Sequence, residues 1–409
     1  MECVGFTPPT TTTQLNTDFC LQIANHVLLN EISSKVTSNF VISPLSIHVI
    51  LSLIALGSNG HTLEQLLFFL QSRNVDHLIS MSSQMAALAS PPNRTHDEDI
   101  DAGGPTLSFV NGAWLNKGLK LKPSFQLIVT QVYNAIAKEV DFVTQTHQVI
   151  NEINSWAENA TKGLVKNLLP LNCLEGNEDK TALILANALY FKASWDQSFD
   201  ISNTKHKDFY LLNGETVKVP FMTNHNYVFH FYGSFDGYKL LKIPYQKGHQ
   251  DTRQFAMYFF LPNQVNGLEN LVNKIKSDSG FFSQQFMLSR VDIPDLWIPR
   301  FKFSYEFKAK QTMQELGLEL PFDDGKAEIM EMVLDTPKTL FVSEIYHKSY
   351  IEVNEEGTEA AASTGAILMQ QQQQCRSFVA NHPFMFMIRE ETSNIVFFVG
   401  AVLNPLSES

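Results

Sequence analysis

The sequence predicts a mixed chain of helices and strands, on three observations: apolar residues recur at helical spacing before residue 165, runs rich in Phe, Val, Ile and Tyr follow residue 180, and no repeat of constant period appears. With 409 residues and 44% hydrophobic content, it can bury one large core or two ordinary ones. Ile47 to Gly57 and Thr62 to Leu70 read as apolar helices, the second starting at Thr62 with Gln65 at the capping-box spacing. Between Pro91 and Pro105, Asp97, Glu98, Asp99 and Asp101 with Gly103-Gly104 read as an acidic surface loop, the one candidate boundary. Ile150, Ile153, Trp156, Ala157, Ala160 and Leu164 then give an amphipathic helix. Strands are expected at Thr181 to Phe191, Val217 to Met222, Lys239 to Pro244, Phe255 to Leu261 and Ile395 to Val402, most of them ending at or close to Pro or Asn.

Charge and targeting signals narrow the function classes. Basic residues number 30 against 42 acidic, a net charge of −12, which argues against nucleic acid or other polyanions as general partners because no basic excess supplies counterion release. Met1 to Thr13 carries Pro8-Pro9 and a run of Thr but no basic stretch followed by an apolar one, so no secretory signal is expected. No apolar run approaches the roughly 20 residues that span a bilayer. Cys3, Cys20, Cys173 and Cys375 lie at neither metal-site nor redox-motif spacing, which fits free thiols in a cytoplasmic or nucleocytoplasmic protein. The sequons at Asn93 and Asn159 are then accidental.

Enzyme chemistry is poorly represented. There is no G-x-S-x-G elbow, H-E-x-x-H, P-loop or dinucleotide-binding glycine pattern. His225 and His230 could share a metal, but such a pair more often lies on the surface, so neither metal nor cofactor is expected. Cys375 with a distant histidine would make a hydrolase, yet it lacks a local signature and reads as an incidental thiol.

The segment from Asn354 to Gln374 is the most informative. Side chains of an extended segment alternate between faces, which puts Thr358, Ala360, Ala362, Thr364, Ala366 and Leu368 on one side and Glu359 on the other. Every residue from Ala360 to Ala366 is small, so the segment could lie exposed and later join a packed sheet without overfilling it. A Gln-rich, small-residue linker is the competing reading.

Distant motifs favour the first. Asn39-Phe40-Val41-Ile42-Ser43-Pro44-Leu45-Ser46 resembles the N-F-x-x-S-P-x-S signature of serpins, and Asn187-Ala188-Leu189-Tyr190-Phe191-Lys192 with Trp195 resembles their N-x-x-Y-F-K-x-x-W strand. Val219 to Met222, Leu316-Gly317, His347-Lys348, Glu355 to Thr364 and Phe378 to Phe384, with Gly400 and Pro405, follow in the family's order, so the similarity runs from about Asp18 to Pro405. Phe378-Val379-Ala380-Asn381-His382-Pro383-Phe384, no signal peptide and few cysteines resemble the plant branch most.

The resemblance implies an α+β serpin fold, a single domain over 18–405 with about eight or nine helices, three β-sheets and an exposed reactive-centre loop at 355–377, flanked by a flexible extension at 1–17 and a tail at 406–409. It implies a monomeric suicide inhibitor of serine or papain-like cysteine proteases, not an enzyme, whose cleaved loop inserts as a strand and leaves the protease covalently trapped. The competing function is a non-inhibitory serpin used for binding, storage or chaperoning.

Residue by residue, the carry-over makes Glu355, Glu356, Gly357, Thr358, Glu359, Ala360, Ala361, Ala362, Ser363 and Thr364 the hinge. Counting from Glu355 places the reactive bond at Gln371-Gln372, with Gln370-Gln371 as the alternative. Cleavage after Arg376 would leave about five residues too many to insert and is expected to give substrate behaviour. Ser43, Ser46, Asn187 and His347 match the shutter, a buried polar cluster in which His347 is expected to hydrogen-bond rather than catalyse. Trp195 and Arg300 match the breach, and Arg300 is expected to pair with Glu355. Gly365 departs from an ideal strand by about 0.5 to 1 kcal/mol of backbone entropy.

Overall fold

In a computed structural model of the protein, residues 18–33, 38–89, 104–176, 181–224, 228–248, 251–278, 280–334, 340–357 and 376–408 are described. The first part is mainly helical: α1 (Asp18–Ser33), β1 (Phe40–Ile42), α2 (Pro44–Leu56), α3 (Gly60–Phe69), α4 (Val75–Ala89), β2 (Thr106–Asn116), α5 (Pro123–Gln131), β3 (Ala135–Val140) and α6 (Thr146–Ala160). Strands then dominate: β4 (Leu183–Lys192), β5 (Lys205–Tyr210), β6 (Thr216–Met222), β7 (Phe229–Phe235), β8 (Tyr238–Pro244) and β9 (Phe255–Pro262). After α7 (Leu268–Ser277) come β10 (Ser289–Asp292), β11 (Asp295–Pro299), β12 (Phe301–Lys308), α8 (Ala309–Glu315), β13 (Ile345–Val353), β14 (Ser377–Val379), β15 (Phe384–Glu390) and β16 (Val396–Val402).

Three sheets result, as expected. One has seven strands in the order β1-β16-β15-β9-β8-β7-β10, one has four, β14-β11-β6-β5, and one has five, β12-β13-β4-β2-β3. All five strands predicted from composition form, each within two residues of the expected limits. Their Phe, Val and Ile content suits strands buried on both faces: β9, β15 and β16 have no exposed residue.

Helix α2 lies between the sheets and touches both β4 and β16. All 13 of its residues are buried, which accounts for a sequence apolar all round rather than along one stripe. It starts where the chain supplies a cap: the Ser43 hydroxyl accepts from the Ser46 N–H at 3.1 Å, and Pro44 occupies the first turn, where its missing N–H costs nothing.

Two helical expectations need correction. The Thr62/Gln65 capping box is not formed. Helix α3 begins at Gly60, capped by the Glu328 carboxylate, which accepts from His61 N–H at 2.6 Å; Thr62 is buried and its hydroxyl accepts from Glu328 N–H. A distant carboxylate thus serves the orphan donors that the local motif would have served. The stripe ending at Leu164 also overran its helix. Helix α6 stops at Ala160 because Lys162 and Gly163 take positive φ of 54° and 84°.

Helix α6 and the segment after it cover one face of the five-stranded sheet. Val149, Ile150, Ile153 and Ala157 pack with Val165, Leu168 and Leu169 on Trp114, Ile184, Ala186 and Ala188. Gly112 makes room for this contact: a Cβ there would lie 2.2 Å from the Trp114 ring, which meets Trp156 of α6 edge-on at 4.9 Å.

Candidate functional site

The middle of the five-stranded sheet contains a seam. β13 and β4 are parallel neighbours, and their pairing runs from Ile345↔Leu185 to Ser349↔Leu189. Both strands continue, β13 to Val353 and β4 to Lys192, but the pairing does not. Along β13, Ile345, His347, Ser349, Ile351 and Val353 are buried while Lys348, Tyr350 and Glu352 are half-buried, the period-2 pattern of a strand with one inward face.

Below the unpaired part, polar residues cross the sheet in register: His347↔Asn187 and Asn111↔Asn187 are partners on three adjacent strands, all buried. His347 Nε2 accepts from the Ser43 N–H at 3.2 Å and lies 2.8 Å from the Ser349 hydroxyl. The Asn187 amide donates to Asn111 Oδ1 at 2.5 Å, and the Asn111 amide donates to the Tyr133 carbonyl at 3.0 Å. His347 is therefore a hydrogen-bonding residue whose burial pushes its pKa down to about 3 and keeps it neutral. Its Nδ1 and Asn187 Oδ1 have no partner among the described residues, so one spare donor and one spare acceptor occupy paired positions on the two sides of the seam. The Ser46 hydroxyl is likewise without a partner among the described residues.

Above the seam, the chain after β4 clasps the residues that follow β13. Trp195 N–H donates to the Glu356 carbonyl at 3.0 Å, the Trp195 indole N–H to the Asn354 carbonyl at 2.9 Å, and Phe199 N–H to the Glu355 carbonyl at 2.8 Å. Trp195 is fixed in turn by stacking on Tyr245, with ring centroids 4.6 Å apart. Asn354 and Gly357 close a tight turn through reciprocal backbone hydrogen bonds of 3.1 and 3.3 Å. Gly357 has φ +121°, and a Cβ there would lie 2.5 Å from the Ala193 carbonyl oxygen, so only glycine fits.

Glu355 is 4% exposed. Its Oε1 accepts from the Thr204 hydroxyl at 2.5 Å and its Oε2 lies 3.5 Å from Arg300 Nε, the ion pair expected from the sequence. Thr204, Asn111, Ser349 and Tyr245 were not anticipated. Asn111 and Ser349 carry a signal in hindsight, since each is a polar residue inside a buried strand.

Thr358 to Thr364, Gln370, Gln371, Gln372 and Cys375 lie outside the described residues, as do Cys3, Asn93, His225 and Met1 to Thr13. The chain resumes at Arg376 and Ser377, the latter opening β14 alongside β11. There the Ser377 hydroxyl donates to Asp295 at 2.8 Å, and Lys239 Nζ donates to the Ser377 carbonyl at 2.9 Å. The 18 residues 358–375 are thus tethered to the five-stranded sheet at one end and the four-stranded sheet at the other.

His230 corrects another expectation. It is buried rather than on the surface, stacked on Phe199, with Nε2 2.9 Å from the Asn224 amide and its pKa pushed down to about 4 by burial. Among the described residues no cluster of three or more His, Cys, Asp or Glu could hold a metal ion, and no helix is long and apolar enough to cross a membrane. Cys20 is buried, which raises its thiol pKa, and Cys173 is half-buried.

Comparison with known proteins gives one answer. The family profile described as Serpin (serine protease inhibitor) matches residues 14–405. Serpin-ZX of Arabidopsis thaliana is 41% identical over 400 residues, covering 96% of this chain and 98% of its own. Serpin-Z7 of Hordeum vulgare is 39% identical over 409 residues, covering 97% and 100%. The solved structure of Arabidopsis AtSerpin1 in its native stressed conformation superposes with a TM-score of 0.83 at 40% identity, over 95% of this chain and 98% of that one. The chain belongs to the serpin family of protease inhibitors and is similar to its plant members.

Proposed function

We propose that the protein is a suicide-substrate inhibitor that traps a serine or papain-like cysteine protease through the Gln371-Gln372 bond. The protease nucleophile attacks the Gln371 carbonyl carbon, the peptide bond breaks, and the amine of Gln372 leaves with a proton. An ester or thioester then links Gln371 to the protease. Before water hydrolyses that bond, the hinge from Glu355 to Thr364 enters the seam between β13 and β4, carrying the protease with it.

The observation that carries this reading is the half-closed seam directly beneath Glu355 to Gly357. A segment that turns back after β13 would run antiparallel to β13 and, because β4 is parallel to β13, antiparallel to β4 as well. Insertion would therefore replace one parallel ladder with two antiparallel ones, which pair slightly better per residue. The family's protease-inhibitor character supports the same reading. Action as a cytoplasmic or nucleocytoplasmic monomer, with no nucleic acid or membrane partner, belongs to this proposal.

The test is thermal. Cleaving the loop once with a protease that cuts within 365–376 should raise the unfolding temperature sharply, since the new strand adds buried surface and ladder hydrogen bonds. A cleaved protein that melts at or below the temperature of the intact one would favour the non-inhibitory binding, storage or chaperone reading.

A further inference from the structure

Beside the base of the hinge, lined by Arg300, Thr204 and Asn354 among others, lies a cleft of about 490 Å³, within the size range of small-molecule sites. Its apolar walls include Ile201, Pro220, Phe301 and Leu406. Ile201 is 70% exposed and Leu406 54% exposed, so two large apolar side chains stand at the mouth in contact with water.

The charges around the cleft are unequally matched. Lys302 is paired in register with Glu352 across the β12–β13 ladder, and its Nζ lies 3.5 Å from Glu408, which answers its charge. Arg300 meets Glu355 with Nε 3.5 Å from Oε2. No hydrogen bond joins its two terminal guanidinium nitrogens to a side chain or carbonyl among the described residues, and the side chain is 41% exposed. Glu355, for its part, is held by the Thr204 hydroxyl. His206 completes the polar rim.

We infer that this cleft binds a small monocarboxylate with an apolar body. The carboxylate would take the two terminal nitrogens of Arg300 end-on, the bidentate geometry for which a guanidinium is suited. The body would cover Ile201, Pro220 and Leu406. A cation whose Nε faces Glu355 but whose terminal nitrogens remain available selects a single negative charge, since a second carboxylate would meet Glu352 or Glu408. The site goes beyond the inhibitory reading and needs neither cleavage nor a protease.

The test is calorimetric titration of the intact, uncleaved protein with 3-phenylpropionate and with its neutral amide. The acid should bind saturably with a dissociation constant on the order of 1 mM, as expected for so small a ligand, and the amide at least about tenfold more weakly. In Arg300→Gln the acid should lose its advantage over the amide. In Leu406→Ser, an exposed change, both ligands should weaken by about threefold or more. Equal affinity for acid and amide, absence of saturable binding, or acid affinity that survives both substitutions would overturn the inference. Because no protease is present, failure here would leave the inhibitory reading untouched, and the reverse also holds.

Discussion

Glu355 and Gly357 hold the base of the hinge by different means. Glu355 is a buried carboxylate satisfied by Thr204 and Arg300, so Glu355→Lys would place a cation against Arg300 and leave the Thr204 hydroxyl without its acceptor. Loss of one partner of a buried pair costs about 3–5 kcal/mol, a figure to be taken at its lower end because Arg300 is half exposed. The expected outcome is a lower unfolding temperature and ladders of polymer on native gels after warming; unchanged aggregation would count against the latch. Gly357→Ala should cost about 1–3 kcal/mol through its positive φ and its contact with the Ala193 carbonyl, and should expose Trp195 to quencher. Three histidines give a pH dependence. Burial lowers the pKa of His48 and His230 to about 4 and of His347 to about 3, from 6.5. Between those values the unfolded chain binds protons that the folded one refuses, so their contribution is complete above about pH 6.5 and is lost as pH falls toward 4, by up to about 1.4 kcal/mol per pH unit for each. Denaturant midpoints at pH 7.5 and pH 5 check this, and a higher midpoint at pH 5 would contradict it.

At the scale of elements, the seam between β13 and β4 is closed from below by polar residues and covered from outside. Lys348 of β13 donates to the Asn167 carbonyl at 3.1 Å, which ties the segment after α6 to the outer face of the sheet. Asn187→Ala would remove the donor to Asn111 at 2.5 Å and leave a buried acceptor unpaired, a cost of about 1–3 kcal/mol. Hydrogen exchange in β13 and β4 should rise more than in β15 and β16; a uniform increase would argue that Asn187 does not hold the seam. The elements legible in the sequence were those whose pattern is local: the Phe- and Val-rich strands and the stripe of α6. Strand β2 was hidden because Asn111-Gly112 has the composition of a turn, while the structure uses Asn111 for the cross-sheet hydrogen bond and Gly112 to admit Trp114. The start of α3 was misread for a similar reason, since its cap, Glu328, is more than 260 residues away in the chain. Among the site residues, Ser43, Asn187, Trp195, Arg300 and Glu355 were reachable through motif resemblance. Thr204 and Tyr245 were not, because their roles come from packing against the hinge and no local pattern marks them.

For the whole molecule, the described residues on either side of 358–375 belong to different sheets, which bears on the proposed inhibition. Glu355 to Gly357 are fixed above an unpaired stretch of the five-stranded sheet, and Ser377 is fixed to a different sheet. In the proposed mechanism, cleavage would free the first end from the second and let it follow the seam downward. Under that proposal the position of the cut would decide the outcome: after Gln371 the inserted length would match the family's, whereas after Arg376 the surplus would leave the protease time to deacylate. The most direct measurement is incubation with a panel of serine and papain-like cysteine proteases, followed by denaturing electrophoresis and mass determination of the released C-terminal peptide. An SDS-resistant complex with at least one of them and a peptide beginning at Gln372 are the expected results. Cleavage by every active protease without a covalent complex, or complexes that release only a peptide beginning at Ser377, would contradict the proposal.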